Sequence, residues 1–285
     1  MCVKHVLSHL TMAQTKPFSL LVSVYAGEKA GCLAEALDSV LVRQTVLPSE
    51  IVLVEDGPLP DELREVLRHY QQIFPAWTTV ALPENRGLGQ ALNAGLAHCR
   101  HEWVARMDSD DLALPERFAR QWAFIEAEPA WDVVGCAVGE FERTPDALTA
   151  VRRCPAKVYP AIKFRSPLNH PTVFFRKSAV QAAGGYRHCP FMEDYNLWIR
   201  MYAHGARMTS LPDVLYLFRM TPETYRRRGG RVYVASEKEI QKSLYAHGLI
   251  SWPVYLYNRI VRVGSRYLPG GLRAVLYRRF LREKR

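Results

Sequence analysis

Short apolar, β-branched runs alternate along this chain with stretches whose apolar residues recur at helical spacing. The run from Phe18 to Tyr25 predicts a buried strand. Leu33, Leu37, Val40 and Leu41 then share one helix face, and Pro48 is expected to mark the turn that follows. Ile51 to Val54 reads as a second strand, ending in Glu55-Asp56-Gly57. Leu63, Val66, Leu67 and Tyr70 stand at i, i+3, i+4 and i+7, so a helix is expected from about Asp61 to Ile73. Trp77 to Leu82 is a third strand. Leu88, Ala91, Leu92 and Gly95 form a helix face that allows close packing. Trp103 to Met107 is a fourth strand, and it runs directly into Asp108-Ser109-Asp110-Asp111.

The second half is less regular. Pro115 starts a helix with Phe118, Trp122 and Ile125 inside, and Asp132 to Cys136 is a strand. Glu140 to Pro167 is rich in Arg and Pro and is expected to be irregular. Thr172 to Phe175 is a strand, Gly184-Gly185 breaks the chain, and Glu193-Asp194 opens a helix that buries Leu197, Trp198 and Met201 and closes at Gly205. Val214 to Phe218 is the last strand, before a basic loop from Tyr225 to Arg231. Strands alternating with helices imply a parallel sheet covered on both faces. In such sheets ligands bind beyond the carboxyl ends of the strands. Two of those ends carry acids, at Asp56 and at Asp108 to Asp111.

With 285 residues, nearly half of them apolar, the chain can bury a large core, and one α/β domain with a small appended piece is expected. Its six cysteines are scattered without metal-ligand spacing and read as reduced, buried thiols of a cytosolic protein. Residues 1–16 lack the apolar core of a signal peptide and read as a leader. No apolar run approaches the ~20 residues that span a bilayer. The formal net charge is +10, but from Ser251 to Arg285 nine Arg or Lys stand against one acid, Glu283. The basicity therefore belongs to the C-terminus. There Trp252, Tyr255, Leu256, Tyr257, Ile260, Val261 and Tyr267, and then Leu272, Val275, Leu276, Phe280 and Leu281, interleave with arginines. That pattern suits either an amphipathic segment lying on anionic lipid or a packed helix with a charged outer face.

Three carboxylates within Asp108-Ser109-Asp110-Asp111 repel one another unless neutralised, and Mg2+ or Mn2+ prefers such oxygen ligands, with phosphate completing its shell. Equally, Asp111 caps the next helix and the others are solvated turn residues. Asp56 is either ordinary Asp-Gly turn chemistry or an acceptor for a pyrimidine N–H. Asn85-Arg86-Gly87-Leu88-Gly89 is a turn and helix start, or a backbone approach to a nucleotide with Arg86 near phosphate or base. Glu193-Asp194 is an N-cap pair, or holds a general base. His170, before Pro171, reads as a packed residue rather than a ligand.

The order of these motifs resembles the family 2 glycosyltransferases of the GT-A fold. The resemblance covers roughly Phe18 to Arg219. It rests on Leu21-Val-Ser-Val-Tyr25 with Glu28, Ile51 to Gly57, Asn85-Arg-Gly-Leu with Asn93 and Gly95, Arg106 to Asp111, His170 to Phe175, and Glu193 to Arg200. It implies a Rossmann-like mixed sheet flanked by helices over 17–220, with a basic, helical extension over 221–285. It implies a nucleotide-sugar donor, Mg2+ or Mn2+ at Asp110, and Tyr25, Glu28, Asp56, Arg86, Asp108, Ser109 and Arg219 about the nucleotide. Asp194, beside Glu193, would take the acceptor's proton, so that transfer inverts the anomeric centre. The family members most similar in pattern are bacterial enzymes that build polysaccharides on a lipid carrier. That implies a UDP-sugar donor, a lipid-linked saccharide acceptor, and a cytoplasmic enzyme held peripherally at the membrane by its tail. No nucleic-acid partner is expected. Two other readings stand beside this one. A sugar-nucleotide nucleotidyltransferase would need an early glycine-rich loop with Arg and Lys that is absent here. A basic nucleic-acid-binding module would leave the acidic clusters unexplained.

Overall fold

The computed structural model describes residues 14–155, 157–221 and 230–263. Met1 to Ala13, most of the basic loop and the second apolar set of the tail lie outside the described residues.

The chain begins with β1 (Gln14–Val24), α1 (Ala30–Leu41), β2 (Val46–Glu55), α2 (Asp61–Ile73), β3 (Trp77–Ala81), α3 (Leu88–His98) and β4 (Trp103–Asp108). β1, β2, β3 and β4 pair in parallel, in the alternation the periodicity predicts. β1 already starts within the stretch read as a leader. Pro48, expected in a turn, lies inside β2. It pairs with Lys16, next to the register shift between Lys16 and Ser19, where a residue without an N–H costs the ladder little.

Beyond β4 the sheet stops being purely parallel. β5 (Leu112–Ala113), α4 (Arg117–Ala127), β6 (Val133–Phe141), β7 (Leu148–Arg152), β8 (Phe174–Arg176), α5 (Lys177–Ala182), α6 (Glu193–Ala203) and β9 (Met208–Arg219) follow, then α7 (Arg231–Ala246) and α8 (Trp252–Asn258). The strand order is β3-β2-β1-β4-β8-β6-β9-β5, with β7 on β6. β8 runs antiparallel to both neighbours, whereas β9 returns parallel to β6. The sheet is therefore mixed, as the resemblance implies and simple alternation does not. Part of the stretch expected to be irregular is ordered: β6 runs on to Phe141, and β7 pairs with it through Ala150 and Val151, both buried.

The strand period of two sorts side chains to opposite faces. Leu20, Val22, Ile51, Leu53, Ala105 and Met107 pack with α1, α2 and α4 through Leu33, Leu37, Leu63 and Phe118. Leu21, Val52, Val54 and Val104 pack with α3, α6 and α7 through Leu92, Trp198, Ile240 and Leu244. Each fully buried side chain of this size contributes roughly 1.5–3 kcal/mol. Gly95 lets α3 lie close on the sheet. A Cβ there would sit 2.6 Å from Val54 Cγ2 and nearer still to Leu21 Cδ1.

Candidate active site

Ala105 and Met107 face one core, so the strand period turns Arg106 and Asp108 together toward the other face. Arg106 is 1% exposed, and its Nη2 donates to Asp108 Oδ1 in a very short contact. Its Nε and Nη1 have no hydrogen-bond partner. A second buried arginine braces the strand end from α4. Arg117 Nη2 donates to the Arg106 carbonyl at 2.6 Å, and its guanidinium lies over the Tyr216 ring.

The turn after β4 carries the acids. Among the described residues, Asp108, Asp110 and Asp111 are the group that offers carboxylate oxygens all within 4.8 Å of one another. Asp111 is fully buried and caps no helix. Its Oδ2 accepts from the Tyr216 hydroxyl at 3.0 Å and its Oδ1 from the Arg219 N–H at 2.7 Å, which ties the turn to β9. Asp108 and Asp110 are only half buried. Burial, then Asp108 and Glu28, push the Asp110 carboxyl up to about 7. Burial and the two neighbouring aspartates likewise hold Asp111 well above the usual carboxylate range. Such a cluster carries more negative charge than its protein surroundings neutralise, and its hard oxygen donors fit Mg2+ or Mn2+.

A cavity of about 800 Å³ opens over this turn. Tyr25, Glu28, Asp56, Asp108, Ser109, Asp110 and Arg219 all line it. Ser109 Oγ donates to Glu28 Oε2 at 2.8 Å, joining the β1 loop to the acidic turn. Arg219 Nε donates to the Asp110 carbonyl at 2.9 Å, and its Nη2 reaches Glu35 at 2.5 Å. Asp56 accepts the Arg86 N–H at 2.7 Å and the Gly87 N–H at 3.0 Å, so its carboxylate shapes the Asn85-Arg86-Gly87 loop. Gly87 adopts φ +82° just before α3, a region open to glycine.

Arg86, Glu193 and Asp194 are not among the lining residues. The Arg86 side chain pairs with Glu84 Oε1 at 3.5 Å. Glu193 and Asp194 begin α6, where Asp194 Oδ2 accepts from Ser166 Oγ at 3.1 Å. Burial pushes Glu193 up to about 7 and raises Asp194. Both lie near enough to Arg106 for its charge to favour their ionised forms. His170 is packed, as the sequence indicates: its Nε2 meets the Tyr186 hydroxyl at 2.8 Å, and burial holds its pKa well down.

The cavity also takes in Asn85, from the loop the sequence singles out, and Lys29, Cys32, Phe191, Phe218, Thr221 and Tyr233, which no motif marks. Arg106, buried behind the cavity rather than lining it, does carry a signal, as a lone charge within an apolar strand.

A sequence profile described as glycosyl transferase family 2 matches residues 19–181. An amylovoran biosynthesis glycosyltransferase of Erwinia amylovora is 38% identical over 91% of this chain and 97% of its own length. A UDP-Gal:alpha-D-GlcNAc-diphosphoundecaprenol beta-1,3-galactosyltransferase of Escherichia coli is 34% identical over 94% of this chain and 98% of its own. Among solved structures, TarS of S. aureus (residues 1–349, in complex with UDP-GlcNAc) superposes with a TM-score of 0.65. It is 18% identical, over 88% of this chain and 72% of that one. The last likeness speaks for the fold, which is GT-A. The profile and the two near-full-length relatives together decide the family: this chain belongs to glycosyl transferase family 2.

Proposed function

We propose that this glycosyltransferase moves a sugar from a UDP-sugar to a hydroxyl of a lipid-linked saccharide, with inversion, during cell-surface polysaccharide synthesis. The observation that carries the proposal is the pair of half-buried carboxylates, Asp108 and Asp110, at the floor of a cavity whose other wall holds Tyr25, Asp56 and Asn85. Donor and acceptor chemistry are proposed by analogy with the Escherichia coli galactosyltransferase, whose name specifies a UDP-sugar and a diphospholipid-linked GlcNAc.

In this reading Asp110, with Asp108 beside it, holds Mg2+ or Mn2+. The cation, when bound, supplies positive charge against the leaving diphosphate. Tyr25 and Glu28 flank the nucleoside. Asp56 holds the Arg86-Gly87 backbone in the shape that meets the base. Arg219 braces the acidic turn from β9. Asp194 accepts the proton of the attacking hydroxyl, and its raised pKa brings a carboxylate closer to the basicity that this step needs. Attack opposite the leaving group inverts the anomeric centre. Trp252, Leu256, Tyr257 and Ile260 are exposed and precede a basic stretch of sequence, which supports contact with a lipid surface where the acceptor resides. No helix among the described residues is long and apolar enough to cross a membrane.

The test is release of UDP from UDP-galactose, UDP-glucose and UDP-N-acetylglucosamine, each with and without Mn2+, in the presence of α-D-GlcNAc-diphosphate on an alkyl chain. Metal-dependent release with one donor supports the reading. No release with any donor, or release indifferent to metal, contradicts it.

A further inference from the structure

Among the described residues, Phe191 is the one non-glycine with a left-handed backbone, at φ +66°. A bulky side chain rarely adopts that region, and such residues concentrate at functional sites. The local cause is visible. The Met192 N–H closes a turn on the Cys189 carbonyl at 2.9 Å, and the Met192 side chain is buried at the start of α6. Phe191 between them is turned outward, with 49% of its surface exposed.

The ring is not left in open solvent. It lines the same cavity as Asp108 and Asp110, and it stacks on Tyr233 of α7 at a centroid distance of 6.2 Å and an interplanar angle of 25°. Tyr233 also lines the cavity, as do Phe218 and Thr221. The lining thus divides along the sheet. Tyr25, Asp56 and Asn85 come from the ends of β1, β2 and β3, on one side of β4. Phe218 and Thr221 come from the end of β9, on the other side. The acids at the end of β4 stand between them. Phe191 stands two residues before α6, which opens with Glu193 and the proposed base Asp194.

A flat, uncharged, half-exposed aromatic face suits neither a diphosphate nor a cation-stabilised anion. It suits the C–H face of a pyranose ring, whose hydroxyls remain free to meet polar groups around the edge. We propose that Phe191, backed by Tyr233, is the platform on which the acceptor's sugar ring lies, and that the left-handed turn at Phe191 exists to present that face. This inference rests on the transferase reading above and adds to it the residue that receives the acceptor.

The test uses the full-length enzyme, α-D-GlcNAc-diphosphate-alkyl as acceptor and whichever of the three UDP-sugars it turns over. Phe191→Asn keeps a residue that tolerates left-handed backbone and removes the ring. Phe191→Trp restores an aromatic face. The asparagine variant is expected to raise the acceptor KM roughly tenfold, while the Kd of UDP with Mn2+, read by calorimetry, stays near the wild-type value. The tryptophan variant is expected to return the acceptor KM toward wild type. An unchanged acceptor KM in Phe191→Asn overturns the platform. So does a parallel loss of UDP affinity, and so does a tryptophan variant as impaired as the asparagine one. If the wild-type enzyme transfers to no acceptor from any of the three donors, the transferase reading fails first, and the two failures are told apart by that control.

Discussion

The side-chain amide of Asn93 grips the backbone of Tyr186 at both ends, donating to its carbonyl at 2.7 Å and accepting from its N–H at 2.8 Å. Asn93 sits on α3, whose first turn follows the Asp56-bound loop, and Tyr186 follows the Gly184-Gly185 break on the way to Glu193. Gly185, at φ +64°, makes the approach possible, since a Cβ there would meet Asn93 Oδ1 at 2.8 Å. One amide thus couples the proposed nucleotide loop to the proposed catalytic loop. Asn93→Ala leaves two backbone groups without their partner and should cost about 1–3 kcal/mol in urea unfolding. Transfer activity should fall with it.

Arg106 is the buried cation shared by the acids of both loops. Removing it leaves Asp108 without its ion-pair partner in a half-buried position. Arg106→Met should therefore lower kcat/KM at least tenfold, read by UDP release. It should also destabilise the fold, by less than the ~3–5 kcal/mol of a fully buried pair, because the Asp108 carboxylate left behind is partly open to solvent. A variant of wild-type stability and turnover would remove Arg106 from the account.

Glu193 gives the fold a pH dependence. Its folded pKa, near 7, lies above the ordinary 4.5, so the native state holds a proton that the unfolded chain releases. That contribution to stability is complete below about pH 4.5 and is lost as pH rises through about 7. Glu193→Gln should flatten the decline in thermal midpoint between pH 5 and pH 8. An identical slope in variant and wild type would contradict the assignment.

Gly95→Ala tests the packing of α3. The added methyl group meets Leu21 and Val54 inside the core and should destabilise by about 1–3 kcal/mol, measured by denaturant titration.

The parallel half of the fold is legible in the sequence because each strand there has its own apolar run and each helix its own apolar face. Phe18 to Val24 and Ile51 to Val54 state their burial directly. The mixed half is legible only in part: the strands expected at Asp132 to Cys136, Thr172 to Phe175 and Val214 to Phe218 are found as β6, β8 and β9, but their order and direction are set by partners far away in the chain. β7 is half exposed and β5 is two residues long, and neither length nor period marks them. The acidic floor of the cavity was readable, since three carboxylates in four residues stand out. The role of Asp111 was not, because its hydrogen bonds reach Tyr216 and Arg219 more than a hundred residues on. Phe191 was invisible for a similar reason: a single Phe after Pro carries no sign that its backbone is left-handed.

If Asp108 and Asp110 hold a divalent cation against a nucleotide diphosphate, UDP and metal must bind interdependently. Calorimetric titration of UDP into metal-stripped enzyme, with and without Mn2+, for wild type and Asp110→Asn, reads that dependence. Mn2+ is expected to tighten UDP binding at least tenfold in the wild type, and the variant, folded by circular dichroism, to lose this gain. Equal UDP affinity with and without Mn2+ in the wild-type protein, or an undiminished Mn2+ effect in Asp110→Asn, would contradict a cation held there.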